Sequence, residues 1–338
     1  MRVIDADAVH QALDFPSLIA ALRETFAQPA GMPQRQVFPL DDSHSDAFAV
    51  LPAWNQKTIA VKAFTYFPGN PKKSSELESL YSKILIFNRD TGEPQALVDG
   101  TSVTYWRTAA VSALASQYLA RSDAKHLLLF GTGRLAAFMA LAHASVRPIE
   151  KITVWGRSDA KVDKTISAIQ AGAPQIEVKA CDDLPRAVAA ADIISCATSA
   201  PSPLFDSAWV SPGTHVDLVG NHHHDRRECD SDLIARAEVY VDAKVNVFAE
   251  AGELLIPVSE GVFELSQVRG ELADLCRGTL SPRQDSPRQD SPCQESPDQD
   301  APRADAPRSD NHAITLFKSV GTALADLVGA QLVYEKQA

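Results

Sequence analysis

Two kinds of apolar pattern divide this 338-residue chain, and the change between them falls near residue 120. Before that point, residues 15–26 carry apolar side chains at helical spacing. After them come short alternating or apolar runs at 47–51, 58–64, 83–87 and 96–98. Turn-forming clusters separate these runs, among them Pro68-Gly69-Asn70-Pro71 and Asn88-Arg89-Asp90-Thr91-Gly92. Short runs punctuated in this way predict an antiparallel sheet. Residues 108–120, rich in small side chains, predict a helix that leads out of it. Beyond residue 120 an apolar run ends at Phe130, and others follow at 152–155, 176–178, 193–197, 215–219 and 239–241. Helix-compatible segments lie between several of them. That alternation predicts a parallel sheet covered on both faces, so the expected fold class is α/β.

Residues 281–310 break the pattern. They form six five-residue units, SPRQD through APRSD, each with proline second. Repeated proline removes backbone donors and blocks helix, and nothing in the units can build a core. The expectation is a solvated, extended or disordered loop, with a partner-binding Pro-rich tether as the alternative. Ordered character resumes at ITLFKSVGTALADLVGAQLVYEKQ, which reads as an amphipathic, helix-like segment.

Composition narrows the function classes. Hydrophobic residues at 45% and charged residues at 22% are ordinary for a soluble globular chain, and the length allows two domains with their own cores. A net charge of −11 argues against a nucleic-acid partner. The start, MRVIDADAVHQAL, lacks the basic opening and apolar core of a signal peptide. No apolar run approaches the ~20 residues that a membrane span needs. Cys181, Cys196, Cys229, Cys276 and Cys293 are scattered, with no CxxC. They predict reduced thiols in a cytoplasmic protein, neither a disulfide frame nor a metal site.

The strongest chemical signal lies at 126–158. A strand-like run ends at Phe130, GTGRLA follows at 131–136, then a helix-compatible segment and a second strand-like run. This is the order of a dinucleotide-binding unit. Gly131 allows the tight turn, and Gly133 lets backbone N–H groups approach a pyrophosphate at the helix N-terminus. Ala136 lets the helix pack on the strand. Thr132, Arg134 and Leu135 complete the cradle. At the end of the second run, Trp155-Gly156-Arg157-Ser158 carries no carboxylate of the kind that would bond a ribose 2′-OH. Arg157 can pair with a 2′-phosphate and Ser158 can donate to it. The expected coenzyme is NADPH, with NADH possible but weaker.

Several separate stretches resemble the ornithine cyclodeaminase/μ-crystallin family. They are MPQRQVF (32–38), VKAF (61–64), NRDTGEPQALVDG (88–100), WRTAAVSALAS (106–116), GTGRLA, ADIISCATS (191–199), AEAGELLIP (249–257) and ITLFKSVGTA (314–323). They span nearly the whole chain outside the proline repeat, which reads as an insertion relative to the family. The resemblance implies a central Rossmann domain (116–280) and a substrate-binding and dimerisation domain built from 1–115 together with 312–338. The 281–311 loop lies between the Rossmann domain and the returning tail, and a homodimer is implied.

Family members act on small α-amino or α-imino acids. The resemblance implies a carboxylate clamp of Arg35, Lys62 and Arg107. Lys62 also lies in an apolar run, where an unpaired ammonium would be costly, so it is expected to face a polar cavity. Thr108 is expected near a coenzyme phosphate, Thr198, Ser199 and Val219 near the nicotinamide half, and Lys318 at the coenzyme site. At VGNHHHDRRECD (219–230) the chain departs from the family's G-x-D-x-P-G-K-x-E-L, and His222 stands in the place of the acid/base Asp. A cyclodeaminase needs that base, whereas reduction of a readily protonated cyclic imine mainly needs clamp and orientation. Lys62 and His222 are the candidate catalytic residues, with no metal expected from three consecutive histidines. The expected reaction is NADPH-dependent reduction of Δ1-pyrroline-2-carboxylate to L-proline, and of Δ1-piperideine-2-carboxylate to L-pipecolate. Ornithine cyclodeaminase, an alanine-dehydrogenase-like activity and a non-enzymatic NADPH-binding protein remain alternatives.

Overall fold

The N-terminal region of the chain folds into a six-stranded sheet. Its strands are β1 (Arg2–Ile4), β2 (Gln36–Pro39), β3 (Ala47–Trp54), β4 (Thr58–Tyr66), β5 (Leu80–Asn88) and β6 (Pro94–Asp99). They run in the order β1-β6-β5-β4-β3-β2. All pairs are antiparallel except β1 with β6. This computed structural model describes residues 1–41, 46–74, 77–280 and 313–337. The proline repeat therefore lies outside the described residues.

Strand periodicity sorts β4 into two faces. Thr58, Ala60 and Lys62 are buried, while Ile59, Val61 and Ala63 are only partly covered. The helices Phe15–Ala27, Gly100–Leu119 and Ala323–Lys336 pack together on the buried side. The other face is apolar as well. Strand register sets Val3, Leu97, Leu85, Val61 and Pro52 in one row across five strands. Val3 is 75% exposed, and Phe38, paired with Phe48, is 47% exposed.

The second sheet has eight strands, β7 (His126–Phe130), β8 (Lys151–Trp155), β9 (Glu177–Ala180), β10 (Ile193–Cys196), β11 (His215–Leu218), β12 (Glu238–Val241), β13 (Gly270–Glu271) and β14 (Thr315–Lys318). All pairs are parallel, in the order β13-β12-β14-β11-β10-β7-β8-β9. β7 is buried along its whole length, as a strand covered on both faces must be. The fold is α/β, with a Rossmann-like parallel sheet.

The tail differs from its expected form. It is not helix-like throughout, because Thr315–Lys318 forms a strand inside the parallel sheet between β11 and β12. Only the helix Ala323–Lys336, capped by Thr322, returns to the first sheet. Ile314, Leu316 and Phe317 are apolar enough to fill a central strand position, which periodicity alone does not distinguish from a helix segment. The helix expected at 108–120 starts earlier, at Gly100, where Asp99 caps it by accepting from Ser102 N at 2.9 Å. It is buried around most of its circumference and touches both sheets. Among the described residues no helix is long and apolar enough to cross a membrane.

Candidate active site

In the eight-stranded sheet every strand ends on the same side. Strand order reverses between β7 and β10, and such a reversal opens a crevice beyond the strand ends. Gly131 follows β7 with φ +121°, and a Cβ there would lie 2.7 Å from the Ala197 carbonyl oxygen. Glycine is required on both counts. Gly133 caps the helix Arg134–Ala144 without any side chain, and no atom lies within 4 Å of where its Cβ would be. The free N–H groups of that helix therefore face open space, which suits an anion. Ala136 is fully buried against the core.

Gly156 brings the end of β8 against this turn, since a Cβ would lie 2.6 Å from Thr132 Cγ2. Trp155 is half-buried against Phe130, with ring centroids 5.3 Å apart. Arg157 is exposed and has no ion-pair partner among the described residues. Ser158 caps the helix Asp159–Gly172 by position, yet its hydroxyl makes no capping bond. Arg134 is paired with Glu78 from the loop before β5, and Leu135 packs on the core. The glycine cradle, the bare helix end and the unengaged Arg157–Ser158 pair fit a dinucleotide.

Across the crevice, Thr198 gives its backbone N–H and its hydroxyl to Glu228 Oε1, each at 2.7 Å. Gly220 N donates to Glu228 Oε2 at 2.8 Å, and a Cβ on Gly220 would sit 2.0 Å from Thr198 O. Glu228 thus locks the ends of β10 and β11 together. Burial pushes its carboxyl up to about 7, partly offset by Lys318. Ser199 is exposed, and Val219 is partly buried just after β11.

The cations meet beside this crevice. Lys62 on β4 is 3% exposed and donates to Thr104 Oγ1 at 2.7 Å and Asp326 Oδ1 at 3.1 Å. Arg107 donates from Nε to the same Asp326 oxygen at 2.8 Å. Its Nη groups have no hydrogen-bond partner among the described residues, and they lie against Gly321. Gly321 has φ +84°, and a Cβ there would be 2.8 Å from Arg107 Nη1. Arg35 donates to the Val320 and Gly321 carbonyls at 3.0 and 2.7 Å and pairs with Glu250 at 3.1 Å. The 319–321 turn is itself held by buried Asp242, which accepts from Ser319 Oγ, Val320 N and Gly321 N. Burial lowers Lys62 to about 8, with Arg107 and Arg35 pushing the same way and Asp326 opposing. Thr108 follows Arg107 into the same buried helix.

His222 lies on the loop after β11. Its ring stacks on His223 at 4.5 Å and meets Tyr66 edge-on at 6.0 Å. His222 is exposed. Partial loss of hydration, then the nearby His223, Arg35, Lys318 and Arg226, lower its pKa from the usual imidazole value. The direction favours the neutral ring. Lys318 is fully buried, donating to the Asn221 carbonyl at 2.7 Å and pairing with Glu253 at 2.9 Å. Among the described residues no three His, Cys, Asp or Glu side chains are grouped to hold a metal.

Sequence reasoning missed Asp326, Gly321, Asp242 and Glu228. One signal was available: Asp326 is a lone carboxylate in the apolar stretch ALADLVGAQLV. The other three carry no local mark.

A sequence profile of the ornithine cyclodeaminase/mu-crystallin family matches residues 3–289, and the chain belongs to that family. A Delta(1)-pyrroline-2-carboxylate reductase from Colwellia psychrerythraea is 50% identical over 341 residues, covering 100% of both chains. One of the same name from Paracoccus denitrificans is 40% identical over 224 residues, covering 66% of this chain and 70% of that one. Among solved structures, the Thermococcus litoralis Delta(1)-pyrroline-2-carboxylate reductase in complex with NADH and L-proline matches with a TM-score of 0.87 at 30% identity. That match covers 99% of this chain and 97% of the other.

Proposed function

We propose that this protein is a pyridine-nucleotide-dependent reductase of cyclic imino acids, converting Δ1-pyrroline-2-carboxylate to L-proline, with Δ1-piperideine-2-carboxylate as a second substrate. The observation that carries the reading is the cluster of Arg35, Lys62 and Arg107, coupled in one place with the last two buried. A small carboxylate fits the open Nη fork of Arg107, because guanidinium matches it with two parallel bonds. Arg35 and Lys62 add positive charge on either side. The bound nicotinamide supplies the hydride. The protein's task is to hold the imine flat against it and to keep water from the reacting carbon.

NADPH is the preferred coenzyme in this reading. Arg157 and Ser158 are free to meet a 2′-phosphate, and no carboxylate precedes Asp159 to repel it. The chain works as a homodimer, because the apolar row from Val3 to Pro52 has no covering helix of its own among the described residues. His222 in place of the family's acid/base carboxylate disfavours the cyclodeaminase reaction. The test mixes purified protein, NADPH and Δ1-pyrroline-2-carboxylate and follows the reduced-nicotinamide absorbance. A steady fall, with proline formed in equal amount, is expected. No fall with either five- or six-membered imine overturns the reading.

A further inference from the structure

Asp326 lies in the first turn of the helix Ala323–Lys336, among buried apolar neighbours. A carboxylate behind a carboxylate clamp is paradoxical, since it competes with the substrate for the same cations. Its geometry removes the paradox. Oδ1 alone accepts both Lys62 Nζ and Arg107 Nε, while buried Oδ2 accepts nothing among the described residues. Held by Nε, Arg107 keeps both Nη groups for a ligand. Held by Asp326 and Thr104, Lys62 has one of its three donors left, in a set direction.

The groups facing Lys62 can be named element by element. The helix Ala323–Lys336 brings Asp326, and the helix Gly100–Leu119 brings Arg107 and Thr104. The segment before β2 brings Arg35, with Glu250 and the Asp242-held turn behind it. Leu51 and Ile84, its partners on β3 and β5, are apolar, and the Phe64 ring lies 5.9 Å from Nζ. Among the described residues, Asp326 is therefore the one anion that touches Lys62.

We propose that Asp326 is a positioning residue for imine reduction: by holding both cations on a single oxygen, it turns the Arg107 fork to the substrate carboxylate and keeps Lys62 charged as proton donor to the imine nitrogen. The inference rests on the ketimine-reductase reading. In the step, a C–H bond forms at C2 with hydride from the reduced nicotinamide, which is oxidised. The C=N electron pair moves to nitrogen, an N–H bond forms with the Lys62 proton, and Lys62 regains a proton from water.

The experiment measures kcat/KM against pH for the wild type, Asp326→Asn and Asp326→Glu, with NADPH and Δ1-pyrroline-2-carboxylate. In parallel, NMR of the full chain labelled with 13C-lysine titrates Lys62, assigned by Lys62→Arg. Wild-type activity is expected to fall above about pH 8. Asp326→Asn should move both this limb and the Lys62 titration down together by about one pH unit or more, so that activity at pH 8 drops at least about fivefold while activity near pH 6 is largely kept. Asp326→Glu, which keeps the charge, should leave the limb in place and raise KM. A uniform loss at every pH, with the Lys62 titration unmoved, overturns the proposal. If the Asn variant does not fold, a limb displaced in the Glu variant overturns it and an unmoved limb with raised KM supports it. If the wild type reduces no imine, the functional reading fails, and the NMR titration still decides whether Asp326 governs Lys62.

Discussion

Lys62 and Lys318 pose the same problem in two regions of the molecule. Each sits in an apolar strand, β4 in the mixed sheet and β14 in the parallel one, and each is buried beside a carboxylate, at 3.1 and 2.9 Å. Lys318 has acids for company, with Glu253 in contact and Glu228 near enough to feel its charge. Lys62 is crowded by two guanidinium groups that depress it, with Asp326 as its only touching anion among the described residues. A buried lysine balanced by acids ties a structure together. A buried lysine among further cations leaves positive charge that an incoming anion must complete. The same residue type is thus acid-balanced in one sheet and crowded by guanidinium groups in the other.

The sharpest way to break this comparison is to truncate each lysine. Lys62→Met should lower kcat/KM roughly a thousandfold, the size of losing a buried charged contact to the substrate. Its thermal midpoint should move little, because Arg107 still neutralises Asp326. The pH dependence has a definite sign. Lys62 is held below its unfolded value of 10.5, so its charge opposes folding below about pH 8. Between those values the unfolded chain binds more protons, so wild type should gain stability relative to Lys62→Met as pH rises. Lys318→Met should do the reverse. It leaves Glu253 buried and unpaired, costing about 3–5 kcal/mol in denaturant melts, while the folded fraction keeps KM within about tenfold. Equal kinetic losses in both variants would erase the distinction.

A residue close to Lys318 in sequence but not in role sharpens it. Gly321→Ala forces a left-handed backbone on a side chain and pushes a methyl into Arg107. Substrate KM should rise about 10- to 100-fold, from roughly 1–3 kcal/mol of strain and displacement, with coenzyme KM unchanged. The boundary between the two behaviours then falls between 318 and 321. Arg157→Asp touches neither lysine. It should raise the KM for NADPH about tenfold and leave NADH nearly unaffected, since only one coenzyme carries the 2′-phosphate. His222→Ala should have the smallest effect, under about tenfold in kcat, well short of the loss of a general acid. A larger drop would return the proton-transfer role to the histidine.

Much of this was legible in the chain. The turn spacing before residue 100 marked the sheet that carries Lys62. The GTGRLA turn, framed by two apolar runs, marked the end of the parallel strands, because only small residues fit where strand, helix and a ligand converge. The cations Arg35, Lys62 and Arg107 were readable from family motifs, and Lys62 also from its charge in an apolar run. Lys318 has other partners, Glu253 and the Asn221 carbonyl, because exposure and company are not local properties. β14 was unreadable for a related reason, since its four residues pair with β11 and β12 only after the chain has passed outside the sheet and returned.

The sequence by itself determined the class of fold, the glycine turn after β7 and the presence of a charge in the apolar run of β4, because periodicity, glycine geometry and ion chemistry act over a few residues. Tertiary structure alone decided which buried lysine lies among guanidinium groups, that Asp326 holds Lys62 and Arg107 on one oxygen, and that Gly321 makes room for the guanidinium. Electrostatic balance is a sum over neighbours brought together from positions as far apart as 62 and 326, and that sum exists only in the folded chain.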